Sequence, residues 1–414
     1  MPAPGVCLNI LSERNLKDGQ GSPNDPEKFL DQDFHRLKQI CLKERLRFVD
    51  NLFPPEMKSI GLGSLTREDL QRVVWRRPHQ VINDEQTFSV DYAGIFHFKF
   101  WRFGSWVDVV IDDKLPTIDG QLVFVHSKTP NEFWPALLEK AYAKVCGSYA
   151  DMDMGSISEA LMDFTGGPHM TIKLSEASGK LWDAMRRAGQ SESLMGCGTP
   201  GGQAGLLKNK VLPNGLVEMH AHAITGVAEV VCKDRPVKLL GIFNRWGHGE
   251  WNGDWSDRSP LWEHVRPEDQ KYNVVLDNGE FWMSMEDFCQ NFSDLDICYS
   301  DETVGYSRDE SSPNLLVSLI QKSHKRNRHL ASNFHIGFNI YEVPAHLKVR
   351  REKFPASFFR TNPTGKTKTF LNAREVMEFF RFKAGEYLIV PSFQPNEAAS
   401  FLLTVYSKTE AIIE

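Results

Sequence analysis

The chain has 414 residues, 41% of them apolar and 25% charged, with a formal net charge of -6. That length supports two or three domains with their own cores, and the acidic balance argues against a nucleic-acid partner, whose phosphates need a basic surface. The opening MPAPGVCLNILSERN lacks the basic and apolar regions of a secretory signal, and no stretch approaches the roughly 18 apolar residues of a membrane-spanning helix.

Residues 1–30 are rich in Gly, Pro, Asn and Asp and read as a mobile arm. From Asp33 a helical period begins, with Phe34, Leu37 and Ile40 or Cys41 on one face, and it fades where Glu44 and Arg45 stand. A loop-like stretch through Pro54, Pro55 and Gly61 ends in WRRPHQVIND. At Glu85 the texture changes: YAGIFHFKFWRFGSWVDVVIDD alternates with period two and breaks at Phe103-Gly104, which predicts a β-hairpin. In NEFWPALLEKAYAKVCGSY, Phe133, Leu137, Ala141 and Val145 recur at spacing four, an amphipathic helix with Glu139 and Lys140 on its wet side. Residues 156–195 read as helices joined by loops around Gly166-Gly167-Pro168.

AHAITGVAEVVC and VKLLGIFNRWG then read as strands, and a Trp-rich turn region, HGEWNGDWSDRSPLW, follows them. NGEFWMSMEDFCQNF predicts a strand entering a helix with Ser284 as its N-cap. Residues 301–313 are polar and aperiodic, a linker. Beyond it LLVSLIQ, FHIGFNIYEV, EYLIVPSF and SFLLTVYS are short apolar strands bounded by turns, which predicts a β-sandwich over 314–414. The seven cysteines, Cys7, Cys41, Cys146, Cys197, Cys232, Cys289 and Cys298, contain no C-x-x-C pair. Neither a zinc knuckle nor a dithiol motif is expected, and a reducing, cytoplasmic setting is.

Two segments could carry chemistry. His220, in EMHAHAITG, and Asn244, in NRWG, fall on neighbouring strands, where the amide oxygen of Asn244 could accept the imidazole Nδ1–H and leave Nε2 to take a thiol proton. A half-buried histidine satisfied by a backbone carbonyl fits the local sequence as well. His220 and His222, two apart on a strand, also point to one face in the manner of zinc ligands, with His248 as a third, which would make a metal-dependent hydrolase.

YAGIFHFKFW, VVIDDKLPT, NEFWPALLEKAYAK, DFTGG, HAHAITG, NRWG, GDWSD and NGEFWMS, in this order, resemble the protease core of the calpain family, calcium-dependent papain-like cysteine endopeptidases. LIQK, FNIYEVP and GEYLIVPS continue the resemblance to the end. It implies an α+β fold: a papain-like protease core over residues 31–300, followed by a partial C2-like β-sandwich. It also implies His220 and Asn244 as the catalytic pair and Trp246 as the residue that gates the cleft. The motifs depart from the family at Met219, His222 and Arg245, where Gly, Tyr and Pro are usual.

The family's nucleophile lies in Q-G-x-x-G-D-C-W, between the R-P segment and the Y-A-G-I-F strand. Here WRRPHQVIND passes directly into EQTFSVDYAGIF, so the resemblance implies an internal deletion near 84/85, an incomplete helical half and a chain without peptidase activity. A non-catalytic protein that binds calcium or calpain partners is the alternative. The resemblance further implies a weakened Ca²⁺ site from Glu250, Asp257, Leu276 (through its carbonyl), Asn278 and Glu280, with Glu132 left over from a second site. Protein substrates of the calpain type would be the partners. Lys322, Lys325, Arg326 and Arg328 form a basic cluster that could meet anionic lipid, and the lack of a D-x-D-x-D-G-type loop after residue 300 predicts no EF-hand-mediated partner.

Overall fold

The structure, a computed structural model, describes residues 21–81, 91–129, 131–153, 155–177, 179–200, 210–244, 250–276, 278–299, 314–322, 333–348, 354–394 and 400–407. Trp246, His248, the 84/85 junction, the 301–313 linker and the basic residues Lys325, Arg326 and Arg328 lie outside the described residues. The chain divides into two compact units, Ser156–Asn314 on the one hand and Met1–Gly155 with Leu315–Glu414 on the other.

In the first unit Asp33 caps helix α1 (Phe34–Lys43), its carboxylate accepting from the Arg36 N–H at 2.9 Å. Strands β1 (Ile95–Arg102) and β2 (Ser105–Asp112) form the expected hairpin, turning at Phe103 and Gly104, both with positive φ. Helix α2 (Trp134–Cys146) packs Ala136, Leu137, Ala141 and Val145 against Phe100, Val109 and Ile111, while Cys41 and partly buried α1 residues meet Ile95 and Val110. The hairpin is therefore buried from two sides, which explains why its alternation is apolar on both faces.

Two expectations change here. Of the expected 1–30 arm, residues 1–20 lie outside the described residues, and residues 21–30 are not free: Glu27 and Lys28 pair in parallel with Val107 and Asp108, and the Trp106 N–H donates to the Gly21 carbonyl at 2.8 Å. Backbone pairing of this kind leaves no apolar signature in a polar stretch. Lys140, placed on the wet side of its helix, is fully buried together with Lys144 one turn later. Carboxylates supplied by distant parts of the chain reverse the assignment, since Lys140 meets Asp112 and Lys144 meets Asp50, each at 2.6 Å.

The second unit opens with helix α3 (Ile157–Thr165) and strand β3 (His169–Lys173), followed by helix α4 (Leu181–Gln190) and strand β4 (Leu194–Gly198). Strands β5 (Ala221–Cys232) and β6 (Arg235–Phe243) form its long hairpin. Strand β7 (Glu280–Ser284) then leads into α5 (Met285–Asn291), capped as expected by Ser284, and β8 (Asp294–Cys298) completes the sheet. All pairings are antiparallel, in the order β7-β6-β5-β4-β8-β3. β3 and β4 fall where only helices and loops were expected, because five-residue strands between helices offer too few positions to establish a period of two. The Trp-rich region is core: Trp255 and Trp262 are buried with Val230, Leu239 and Val265, their rings edge to face at 5.1 Å.

The remaining strands return to the first unit. β9 (Leu315–Lys322), β11 (Glu375–Phe380) and β13 (Ser400–Ser407) form one sheet in the order β11-β9-β13, and β10 (His335–Glu342) pairs with β12 (Tyr387–Gln394) and two short strands in another. Val317 and Leu319 from the first sheet share a core with Ile336, Phe338 and Ile340 from the second, giving the sandwich that the alternating strands predict. One break between the compact units, at Asn314/Leu315, falls at the end of the expected linker; the other, at Gly155/Ser156, divides the expected 31–300 core. Phe103, at the tip of the β1–β2 hairpin, lies beneath the Arg374 guanidinium at 4.6 Å and the Lys322 ammonium at 5.9 Å, so the sandwich groups with the N-terminal part.

Candidate functional site

β5 and β6 position the two residues that sequence singles out. His220 immediately precedes β5 and Asn244 immediately follows β6, so the antiparallel pairing that ends at Phe243 and Ala223 brings them to the same end of the hairpin. The His220 Nε2 lies 2.9 Å from the Asn244 Oδ1, with Asn244 fully buried and His220 half-buried. The expected pair forms, but through the other ring nitrogen. To meet an amide oxygen Nε2 must carry the proton, which leaves Nδ1 as the basic nitrogen of the ring.

The backbone around His220 is held as closely as its side chain. The Thr199 hydroxyl, at the end of β4, donates to the Val217 carbonyl at 2.5 Å and accepts from the His220 N–H at 3.0 Å, while the Thr199 N–H donates to the His220 carbonyl at 3.1 Å. Thr199 is invisible to motif reading, because a threonine at a strand end has no distinctive spacing.

His222 is placed differently from His220. It points into the core, 3% exposed, against Phe281 and Phe292, and its ring meets that of His220 edge to face at 4.9 Å. Its Nδ1 lies 3.3 Å from the His220 carbonyl, and its buried Nε2 has no hydrogen-bond partner among the described residues. His220 directs Nε2 to Asn244, and no group of three or more His, Cys, Asp or Glu is gathered for a metal among the described residues. His248, the third ligand of the zinc reading, lies outside the described residues.

Burial, reinforced by the nearby His220, pushes the His222 imidazole down to about 4. The unfolded chain therefore binds this proton more readily than the folded one, and stability falls as pH drops from about 6.5 towards 4. The loss should approach about 3 kcal/mol once pH is below the folded value. A His222→Tyr variant is expected to flatten this slope in urea melts between pH 4 and 7; an unchanged slope would show that His222 does not cause it.

Four cysteines, Cys197, Cys232, Cys289 and Cys298, fall in this unit. Cys197 lies across from His222 in the β4–β5 ladder, wholly buried, and burial followed by the charges of Asp294 and Asp296 pushes its thiol well up. The Cys298 sulfur is 3.2 Å from the Thr165 hydroxyl and 3.5 Å from the Gly167 carbonyl. The Cys232 sulfur lies 3.9 Å from the Leu261 carbonyl, and Cys289 is exposed on α5.

The acidic residues lie beside an open groove of about 630 Å³ lined by Glu250, Trp251, Asp254, Asp257, Arg258 and Leu276. Their carboxylates are engaged with backbone: Glu250 Oε1 accepts from Gly279 N–H at 2.7 Å, and Asp257 Oδ2 accepts from Leu276 N–H at 3.1 Å. The Asn278 side-chain oxygen accepts from Glu280 N–H at 2.9 Å, the Leu276 carbonyl from Asn278 N–H at 2.9 Å, and Glu280 Oε1 from the Thr225 hydroxyl at 2.7 Å. Burial raises the Asp257 carboxyl; the Leu276 hydrogen bond opposes this, and the charges of Glu250 and Glu280 raise it further. Such crowding of carboxylate charge suits a hard cation, and the oxygen donors fit one in kind. Glu132 belongs to the other unit, where its carboxylate accepts from Ser127 and, at 2.9 Å, from the Trp134 indole.

The family model for calpain family cysteine proteases matches residues 79–299, and that for calpain large subunit domain III matches residues 273–406. Human Calpain-14 is 36% identical over an alignment of 506 residues that covers 99% of this chain and 72% of the relative. The mouse Calpain-1 catalytic subunit is 33% identical, covering 98% and 71%, and the human Calpain-2 catalytic subunit is 33% identical, covering 98% and 72%.

Proposed function

Because the chain belongs to the calpain family of cysteine proteases, we propose that it carries the histidine–asparagine half of that site without the cysteine that would complete it. The observation that carries the reading is the 2.9 Å His220–Asn244 contact, an orienting pair whose purpose is to prepare an imidazole to take a proton from a nucleophile. Two further facts favour a missing nucleophile. The sequence contains no Q-G-x-x-G-D-C-W, and an alignment of 506 positions exceeds this 414-residue chain by 92, so at least that many positions of Calpain-14 have no counterpart here.

In this reading His220 is the base, Asn244 fixes its tautomer, and Trp246 would gate the cleft. Substrates would be proteins, held but not cut. Glu250, Asp257, Asn278, Glu280 and the Leu276 carbonyl would hold calcium, which would neutralise the charge crowded around Asp257. With Asn278 where the family has a carboxylate, affinity would be weak. The setting is cytoplasmic, the C-terminal sandwich is C2-like, and contact with anionic lipid is confined to the basic cluster after β9.

The purified 414-residue chain is expected to leave casein and fluorogenic peptides intact with and without millimolar Ca²⁺. Cleavage that calcium stimulates and a thiol alkylator abolishes would overturn the reading.

A further inference from the structure

We infer that Glu250 is a positioning residue for the His220–Asn244 pair, acting through Gly279. Gly279 stands between them with a hydrogen bond on each side: its N–H donates to Glu250 Oε1 at 2.7 Å, and its carbonyl accepts from Asn244 N–H at 2.7 Å. Asn244 then presents its side-chain oxygen to His220 at 2.9 Å. The φ of Gly279 is +93°, a backbone conformation that a side chain would strain, so the link depends on glycine and on a carboxylate that keeps its amide in place.

A second route joins the same residues. Glu250 packs its own carbonyl against Gly215, where a Cβ would stand 1.8 Å from that oxygen. The turn that carries Gly215 is pinned to the chain just after Glu250: Asn252 N–H donates to the Asn214 carbonyl at 3.1 Å, and its side-chain amide to the Pro213 carbonyl at 2.8 Å. The Val211–Val217 bridge closes the turn, and the Val217 carbonyl accepts from Thr199, whose hydroxyl also holds the His220 N–H. The carboxylate of Glu250 thus governs the partner of the imidazole, and its backbone abuts the segment that sets the histidine's main chain.

The inference rests on His220 and Asn244 being the base and its orienter, so the test includes a control for that. It follows the imidazole of His220 by ¹⁵N NMR in the full chain, together with the Gly279 amide. Glu250→Gln keeps an oxygen for Gly279 and is expected to preserve the single Nε2–H tautomer pattern. Glu250→Ala removes the acceptor, and Glu250→Asp keeps the charge while shortening its reach by one methylene. Both are expected to shift the Gly279 amide and to lose that pattern, as Asn244→Ala does. If Glu250→Asp and Glu250→Ala keep the wild-type pattern while Asn244→Ala loses it, Glu250 does not position the pair. If Asn244→Ala also keeps it, the pair itself is misread and the inference falls with it. Should Glu250→Ala not fold, the contrast between Gln and Asp decides.

Discussion

Asp112→Ala is expected to cost about 3–5 kcal/mol, enough to unfold much of the first unit under mild denaturant. Asp112 is wholly buried and does three jobs at once. It faces the Lys140 ammonium at 2.6 Å, accepts from the Asp50 N–H at 2.7 Å, and accepts from the Lys114 N–H at 2.8 Å. Lys140 is equally buried, and it also donates to the Lys114 carbonyl at 2.6 Å. Burial pushes the Lys140 ammonium down, while Asp112 first, and then Asp50 and Asp113, hold it up. Removing Asp112 leaves that charge to be desolvated with its nearest counter-charge gone, and leaves two backbone donors without their acceptor.

The rest of the network makes the effect spread. Lys144 reaches Asp50 and the Val110 carbonyl, each at 2.6 Å, and Arg77 pairs with Asp113 beside Tyr92 while donating to the Phe48 carbonyl at 3.0 Å. Three carboxylates balance three cations, tying α2 to the end of β2 and to the loops around residues 48–50 and 77. An Asp112→Leu/Lys140→Met pair should recover part of the loss, because it removes both charges, though not all of it, because the Asp50 and Lys114 amides stay unpaired. Chemical denaturation followed by circular dichroism measures both variants. A single variant within about 1 kcal/mol of wild type would show that the network does not hold this unit together.

These lysines also mark where sequence reading stops. Local periodicity found α1, α2, the β1–β2 hairpin, the Ser284 cap and the four longest strands of the sandwich, since each depends on residues a few positions apart. It could not place Lys140, whose environment is set by Asp112, 28 residues away, or Lys144, set by Asp50 at 94. The short strands β3, β4 and β8 escaped for a related reason: their pairing partners, not their own patterns, make them strands. At the site, His220 and Asn244 were legible because their motifs are. Gly279, Gly215 and Thr199 were not, since each acts through one backbone contact that only the folded chain creates. The choice of imidazole nitrogen lay equally beyond reach, as it depends on which edge of the ring the end of β6 meets.

If the proposed function holds, supplying a nucleophile should have a still larger effect, on activity. A chain in which a segment bearing the family's Q-G-x-x-G-D-C-W pattern is placed between Asp84 and Glu85 is expected to gain thiol-dependent peptidase activity. Rates should rise above background by up to about 10⁶-fold, because catalytic groups that act as a unit are nearly worthless singly and decisive together. The thiol supplied at a helix N-terminus would be acidified there, and in the proposed reading Nδ1 of His220, with Nε2 turned to Asn244, would take its proton. His220→Ala in this grafted chain should remove the whole gain. Asn244→Ala should remove less, by about 10⁴-fold, because an orienting group loses the tautomer and not the base. A grafted chain that folds, binds an alkylating substrate analogue at the new cysteine and yet cuts nothing would mean that the His220–Asn244 pair is not set for catalysis, whatever its geometry.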